Sequence, residues 1–159
     1  MSGSYRHGGW VNFDLVRHDY VTVIGDLVQL PFKDNSIDEI HCVHVLEHLT
    51  RDKHLPALLE MRRVLKPNAI AYIEVPDFKE VIDYLHKALL NNDEQAIHIW
   101  TTSVYGKTER KGMAHHFGFY EDKLISLCNK ANFKKVVRSD KMISTHYKQE
   151  PVLLIRAEK

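Results

Sequence analysis

His44-Val45-Leu46-Glu47-His48 places two imidazoles and a carboxylate within one short run, donor types that hold a divalent metal or move a proton. The run matches H-x-x-E-H, the inverted zinc-peptidase pattern. On a helix its two histidines share a face, leaving Glu47 as general base. A third ligand is then needed, and Glu74, Asp77 and His115 are available. Such a run also arises by chance in a chain with 11 histidines, and His48 equally suits a hydrogen-bonded position at a helix start. A second pattern extends over the chain: Asp14, Asp26, His44 with Glu47, and Pro76 with Asp77 each close or follow a strand-like run. In open parallel sheets, ligands lie beyond the carboxyl ends of the strands. A rim of carboxylates there suits hydroxyl and amino donors, whereas phosphate needs cations or bare N–H groups. His115 and His116 offer a general base from a loop, with a surface pair as the alternative. Cys42 and Cys128 sit in apolar runs and are expected to pack as core residues.

The elements that must position these groups follow from hydrophobic period. Trp10–Asp14 alternates apolar and polar, and Val21–Ile24 is β-branched up to Gly25, so both predict short strands. Glu39–Val43 is a third, entered through a turn at Lys33–Ser36. From Asp52 to Leu65 the period turns helical, with Leu55, Leu58, Leu59 and Leu65 on one face and Pro67 as the stop. Ala69–Val75 is an apolar run expected of a strand buried on both faces. Asp77 is expected to N-cap a helix reaching about Asn91. Residues 92–120 have weak periodicity and contain Gly106, Gly112 and Gly118, which predicts a substrate-side loop or short helical insertion. Glu121–Asn132 is helical, with Leu124, Leu127, Cys128 and Ala131 inward, and Lys135–Arg138 and Val152–Ala157 close the order as strands. Strands alternating with helices imply an α/β fold with a mostly parallel sheet, helices on both faces and an antiparallel last strand.

The chain of 159 residues fits a single domain. With 44% apolar and 27% charged residues it has ordinary globular composition. A net charge of +1 argues against strong nonspecific nucleic-acid binding. The charge is uneven: residues 1–100 carry 10 Lys/Arg against 15 Asp/Glu, and residues 101–159 carry 12 against 6. No apolar run is long enough to span a membrane. Two distant cysteines and the absence of a leader-like N-terminus predict a cytoplasmic location.

Several strings in order resemble the class I S-adenosylmethionine-dependent methyltransferases of the small Rossmann-like kind. They are Gly9–Asp14, Gly25-Asp26-Leu27 with Leu30-Pro31-Phe32, Asp34–Ile40, Val45–Leu49, Glu60–Pro67, Val75-Pro76-Asp77, and the run from His115-His116-Phe117 to Ala131-Asn132-Phe133. The resemblance implies methyl transfer from S-adenosylmethionine to a small-molecule or sugar acceptor. It implies that Asp14 binds the ribose hydroxyls of the cofactor, that Asp26 accepts from the adenine amino group, and that Leu27 lends its backbone N–H to the ring. His41–His44 match the strand end beside the methionine moiety, and Gly3 falls where the last glycine of the family's glycine-rich loop stands. His44, His115 and His116 are the candidates for a base. Turn or cap roles are the alternative for Asp14 and Asp26.

Departures from the pattern carry expectations of their own. Nothing before Gly3 can form the family's first strand, so the sheet is expected to lack it, and residues 1–9 are taken as a loop remnant or a tag. Trp10–Asp14 is then expected either to pair directly with Glu39–Val43 or to be covered in a homodimer. Cofactor binding by the isolated chain is expected to be weak. Asn68 and Asn132 stand where the family has glycine, and asparagine tolerates the positive φ those turns need. The alternatives left open are a methyltransferase-like binding or regulatory module without catalysis, and a zinc peptidase through His44, Glu47 and His48. Outside the peptidase alternative, no metal is expected.

Overall fold

The computed structural model describes residues 9–108, 112–140, 142–144 and 150–159. β1 (Phe13–Asp14) and β2 (Val23–Ile24) form a small parallel pair. β3 (Ile37–Val43), β4 (Leu65–Pro76), β5 (Lys134–Ser139) and β6 (Val152–Glu158) form a second sheet in the order β3-β4-β6-β5. β3 runs parallel to β4, and β6 lies antiparallel between β4 and β5. β3, β4 and β5 therefore share one direction against β6, which is the antiparallel closing strand that the sequence predicts.

The core follows from the pleat. Ala71, Ile73 and Val75 of β4 pair with Ala157, Ile155 and Leu153 of β6, so these buried residues form one continuous apolar layer. Helix α1 (His54–Val64) lays Ala57, Leu58, Met61 and Val64 on the core, and α4 (Glu121–Lys130) adds Leu124 and Cys128. Helix α2 (Phe78–Leu90) pairs with α3 (Glu94–Tyr105), joined by Tyr84 stacked on Trp100 at 4.9 Å. No helix among the described residues is long and apolar enough to cross a membrane.

Several expectations are corrected. α1 stops at Val64, before Pro67, because Leu65 already enters β4 and pairs with Ile37. Leu59 is exposed, because the buried face of α1 is set by Ala57, Leu58, Met61 and Val64. Of the two options for the weakly periodic segment, residues 94–105 take the helical one as α3, whose Asp93 caps through a bond from the Ala96 N–H at 3.0 Å. Asp77 does not cap α2 with its side chain; its buried carboxylate meets Arg138 Nη2 at 3.2 Å. Direct pairing of the first strand with β3 is absent among the described residues, since β1 hydrogen-bonds to β2 in a separate sheet. Across that junction Trp10 packs on His41, ring centroids 4.4 Å apart. Asn132, in the turn after α4, and Asn68, inside β4 where its register shifts against β3, both adopt a φ of 63°.

Candidate functional site

The parallel register of β1 and β2 brings two acidic residues to one end. Asp14 closes β1 opposite Ile24, and Asp26 follows β2 by two residues. The Gly25 N–H donates to the Asp14 carbonyl at 3.0 Å. A Cβ on Gly25 would lie 2.9 Å from the Phe13 ring, so glycine permits this close approach. Asp14 is buried, and its Oδ1 accepts the Val16 N–H at 3.0 Å. Asp26 is half-buried, its Oδ1 accepts the Val28 N–H at 3.2 Å, and its Oδ2 lies 3.9 Å from Lys53 Nζ. These are the turn roles that aspartate side chains play two residues ahead of an amide. A carboxylate has about four acceptor sites in all. Leu27, between them and Val28, packs half-buried against the core. Gly3 lies outside the described residues.

The loop carrying Asp26 is held by α1. Glu60 Oε2 accepts the Leu30 N–H at 2.9 Å, and Arg63 donates to the carbonyls of Leu30 and Phe32, both at 2.9 Å. Arg63 also binds Glu60 and Asp34. The contact with Arg63 outweighs burial and holds the Glu60 carboxyl below the usual range.

A second group gathers at the carboxyl end of β3. His44 adopts a φ of 51°, uncommon for a side chain with a Cβ, and its N–H donates to the Glu74 carbonyl at 2.9 Å. The ring lies between two buried carboxylates: Nδ1 is 3.3 Å from Glu47 Oε1, and Nε2 is 3.7 Å from Glu74 Oε1. Burial pushes His44 toward neutrality, but the contact with Glu47 prevails and its pKa is raised. Burial likewise favours a neutral Glu47, and the same contact prevails, holding it below the ordinary value. Both directions describe an imidazolium–carboxylate pair. His48 goes the other way, with burial lowering its pKa more than Glu47 raises it. Glu74, which sequence alone offered as a metal ligand, accepts the backbone N–H groups of Ile143 at 2.6 Å and Ser144 at 3.1 Å.

His44 and His48 do not share a helix face. Only Leu46–His48 is helical, as a single 3-10 turn, and His44 precedes it in a left-handed conformation. The arrangement that a helical H-x-x-E-H peptidase site needs is therefore not formed. His48 instead meets a partner far along the chain. Its Nδ1 donates to the Ala114 carbonyl at 3.0 Å, and its ring lies 4.8 Å from that of His115. His115 Nδ1 in turn donates to the Ser103 carbonyl at 2.9 Å. The His116 N–H donates to the Glu47 carbonyl at 2.7 Å, and the His116 residue is exposed. Of the three base candidates, His44 and His115 thus join the group around Glu47.

Gly106 makes this return of the chain possible. It ends α3 at a φ of 73°, and a Cβ there would stand 2.2 Å from the Met113 carbonyl oxygen. The Lys107 N–H donates to that carbonyl, and the His115 N–H donates to the Tyr105 carbonyl. Ser103 and Ala114, which orient the two imidazoles, carry no signal in sequence because backbone carbonyls have no residue signature. Glu47 and His115 line a cavity of about 10 Å³ shared with Phe78, Val81, Phe117 and Phe119.

Residues 10–73 match a methyltransferase domain family. A protein of Encephalitozoon cuniculi whose name proposes a methyltransferase is 30% identical over 115 residues, which is 70% of this chain and 51% of that one. An uncharacterized protein of Methanocaldococcus jannaschii is 46% identical over 44 residues, or 28% of this chain and 18% of that one. The chain therefore spans about half or less of the length of these curated relatives. Among solved structures, a Thermotoga maritima S-adenosylmethionine-dependent methyltransferase, described as a possible histamine N-methyltransferase, superposes with a TM-score of 0.56 at 23% identity, covering 88% of this chain and 65% of its own. The Burkholderia thailandensis 1,6-didemethyltoxoflavin-N1-methyltransferase, solved with S-adenosylhomocysteine, gives 0.57 at 14% identity, covering 92% and 59%. The ordered match over β1 to β4 and the shared sheet identify the architecture: this chain has the class I S-adenosylmethionine-dependent methyltransferase fold.

Proposed function

We propose that the chain transfers a methyl group from S-adenosylmethionine to a small-molecule nucleophile, and that Asp14, Asp26 and Leu27 hold the nucleoside half of that cofactor. The observation that carries this reading is the pair of carboxylates at the ends of two hydrogen-bonded parallel strands. Carboxylate acceptors fit hydroxyl and amino donors and repel phosphate, so the donor set suits a ribose and an adenine without a phosphate chain. When bound, the cofactor supplies an electrophilic methyl on a sulfonium. The chain's own residues need to align an acceptor atom with that methyl and exclude water. His44, at the carboxyl end of β3, faces that task with Glu47 behind it.

Calorimetry with S-adenosylhomocysteine tests the assignment. Asp14→Asn and Asp26→Asn are each expected to weaken binding by about 1–3 kcal/mol, the scale of a hydrogen bond to a charged group. Unchanged affinity in both variants rejects these ligands. A protein that binds the cofactor yet shows no turnover across acceptor classes is a binding module. Two buried free thiols suit a reducing compartment such as the cytoplasm. Exposed Trp10, Val11, Leu15 and Val16 beside β1 support self-association; sedimentation at micromolar concentration is expected to show a dimer, and a clean monomer removes that element.

A further inference from the structure

Glu47, His48 and His115 come from a strand-end turn and a loop 66 residues further on, yet their ligand atoms all lie within 4.8 Å of one another. Two independent features favour a cation among them. First, both imidazoles are oriented from behind. A carbonyl oxygen can only accept, so the Nδ1 atoms of His48 and His115 carry the protons they give to Ala114 and Ser103. In the uncharged form of either ring the lone pair is then on Nε2, the arrangement in which ligating histidines are ordinarily fixed. Second, Glu47 is 1% exposed, and neither of its carboxylate oxygens accepts a hydrogen bond among the described residues. A buried carboxylate left so is costly unless a charge stands against it, and His44 at 3.3 Å covers only one oxygen. The cavity of about 10 Å³ that Glu47 and His115 line with Phe78, Val81, Phe117 and Phe119 lies beside this group, and His48 does not line it.

We propose that Glu47, His48 Nε2 and His115 Nε2 bind a first-row divalent cation at the carboxyl end of β3. Two imidazoles with one carboxylate are the donors such ions prefer over magnesium or calcium. Bonds of about 2.0–2.2 Å to a tetrahedral ion set donors about 3.3 Å apart, so binding draws the widest pair inward by at most about 1.5 Å. Three protein ligands leave a position open. On the methyl-transfer reading, that position takes the oxygen or nitrogen of the acceptor, and this role alone rests on that reading.

The test uses the full chain, stripped with chelator and titrated with Co²⁺ and with Zn²⁺ by equilibrium dialysis and visible absorption. Intense Co²⁺ ligand-field bands from a low-coordinate site are expected in the original chain. His48→Gln and His115→Gln are each expected to weaken binding at least about tenfold, since even losing a supporting hydrogen bond costs about 10–100-fold. His98→Gln on α3 is expected to leave it unchanged. His115→Cys keeps a ligand and is expected to retain binding and add a sulfur-to-cobalt charge-transfer band, which a merely structural histidine would not produce. Co²⁺ affinity and spectrum indifferent to both His48→Gln and His115→Gln, in chains with unchanged circular dichroism, overturn the site. So does an absence of ligand-field bands in the original chain. Either outcome leaves cofactor calorimetry untouched, so loss of this site and loss of the methyl-transfer reading remain separate results.

Discussion

His44 shows how one residue acquires its chemistry from where the backbone bends. Its φ of 51° turns the chain out of β3 and sets the ring between Glu47 and Glu74. The two cysteines show the opposite case, in which packing removes chemistry. Burial pushes the thiols of Cys42 and Cys128 up to about 12, so neither forms the reactive thiolate in the native chain. An alkylating reagent at about pH 8 is therefore expected to label neither in the folded protein and both in denaturant. Mass spectrometry reads the count, and rapid native labelling of either thiol contradicts the packing described.

At the scale of elements, α1 does more than cover the sheet. Through Glu60 and Arg63 it holds the loop at Leu30–Asp34 that follows Asp26. The folded carboxyl of Glu60 lies below its unfolded value, so its contribution is full above about 4.3 and is lost as pH falls through the folded value. Glu60→Gln is expected to cost about 1–2 kcal/mol near neutrality, with the difference from the original chain vanishing in acid. Urea denaturation across that range measures it; a pH-independent difference rejects the charge-assisted bond. The turn after α3 is constrained by a different physical term. Gly106→Ala forces a Cβ against the Met113 carbonyl at a φ of 73°, and is expected to cost more than about 1 kcal/mol. It is also expected to shift the His115 imidazole resonances, and unchanged resonances would show that the turn does not position that ring.

Over the whole molecule, stability is unevenly distributed. β4 has a partner strand on each side and is buried from Ile73 to Pro76, whereas β1 and β2 pair over two residues each. Backbone amides of Ile73 and Val75 are expected to exchange with deuterium only on global unfolding. Those of Val23 and Gly25 are expected to exchange by local opening, faster by orders of magnitude. Equal protection in both sheets would mean that they unfold as one unit. The small sheet carries Asp14 and Asp26, so added S-adenosylhomocysteine should protect Val23 and Gly25 selectively if the proposed ligands are correct.

Strand and helix order, the antiparallel last strand and the positive φ of the two asparagines were legible in the residues, because hydrophobic period and backbone preference are local properties. So were Asp14 and Asp26 as strand-end carboxylates, since a strand end is also a local feature. Helix α3 was legible only as one of two options, loop or short helical insertion, because its buried face is shallow, with no fully buried residue, and the stacking of Trp100 on Tyr84 is a tertiary event. The donor types around Glu47 are legible in sequence, but their geometry is not. Spacing puts His44 and His48 on one face only if the run is helical, and the folded chain decides that His44 precedes the turn and pairs with Glu47. The partner of His48, His115, is brought back by Gly106 from beyond another helix. Distances across 66 residues are set by packing of α3 and its return loop, and no pattern within either segment encodes them.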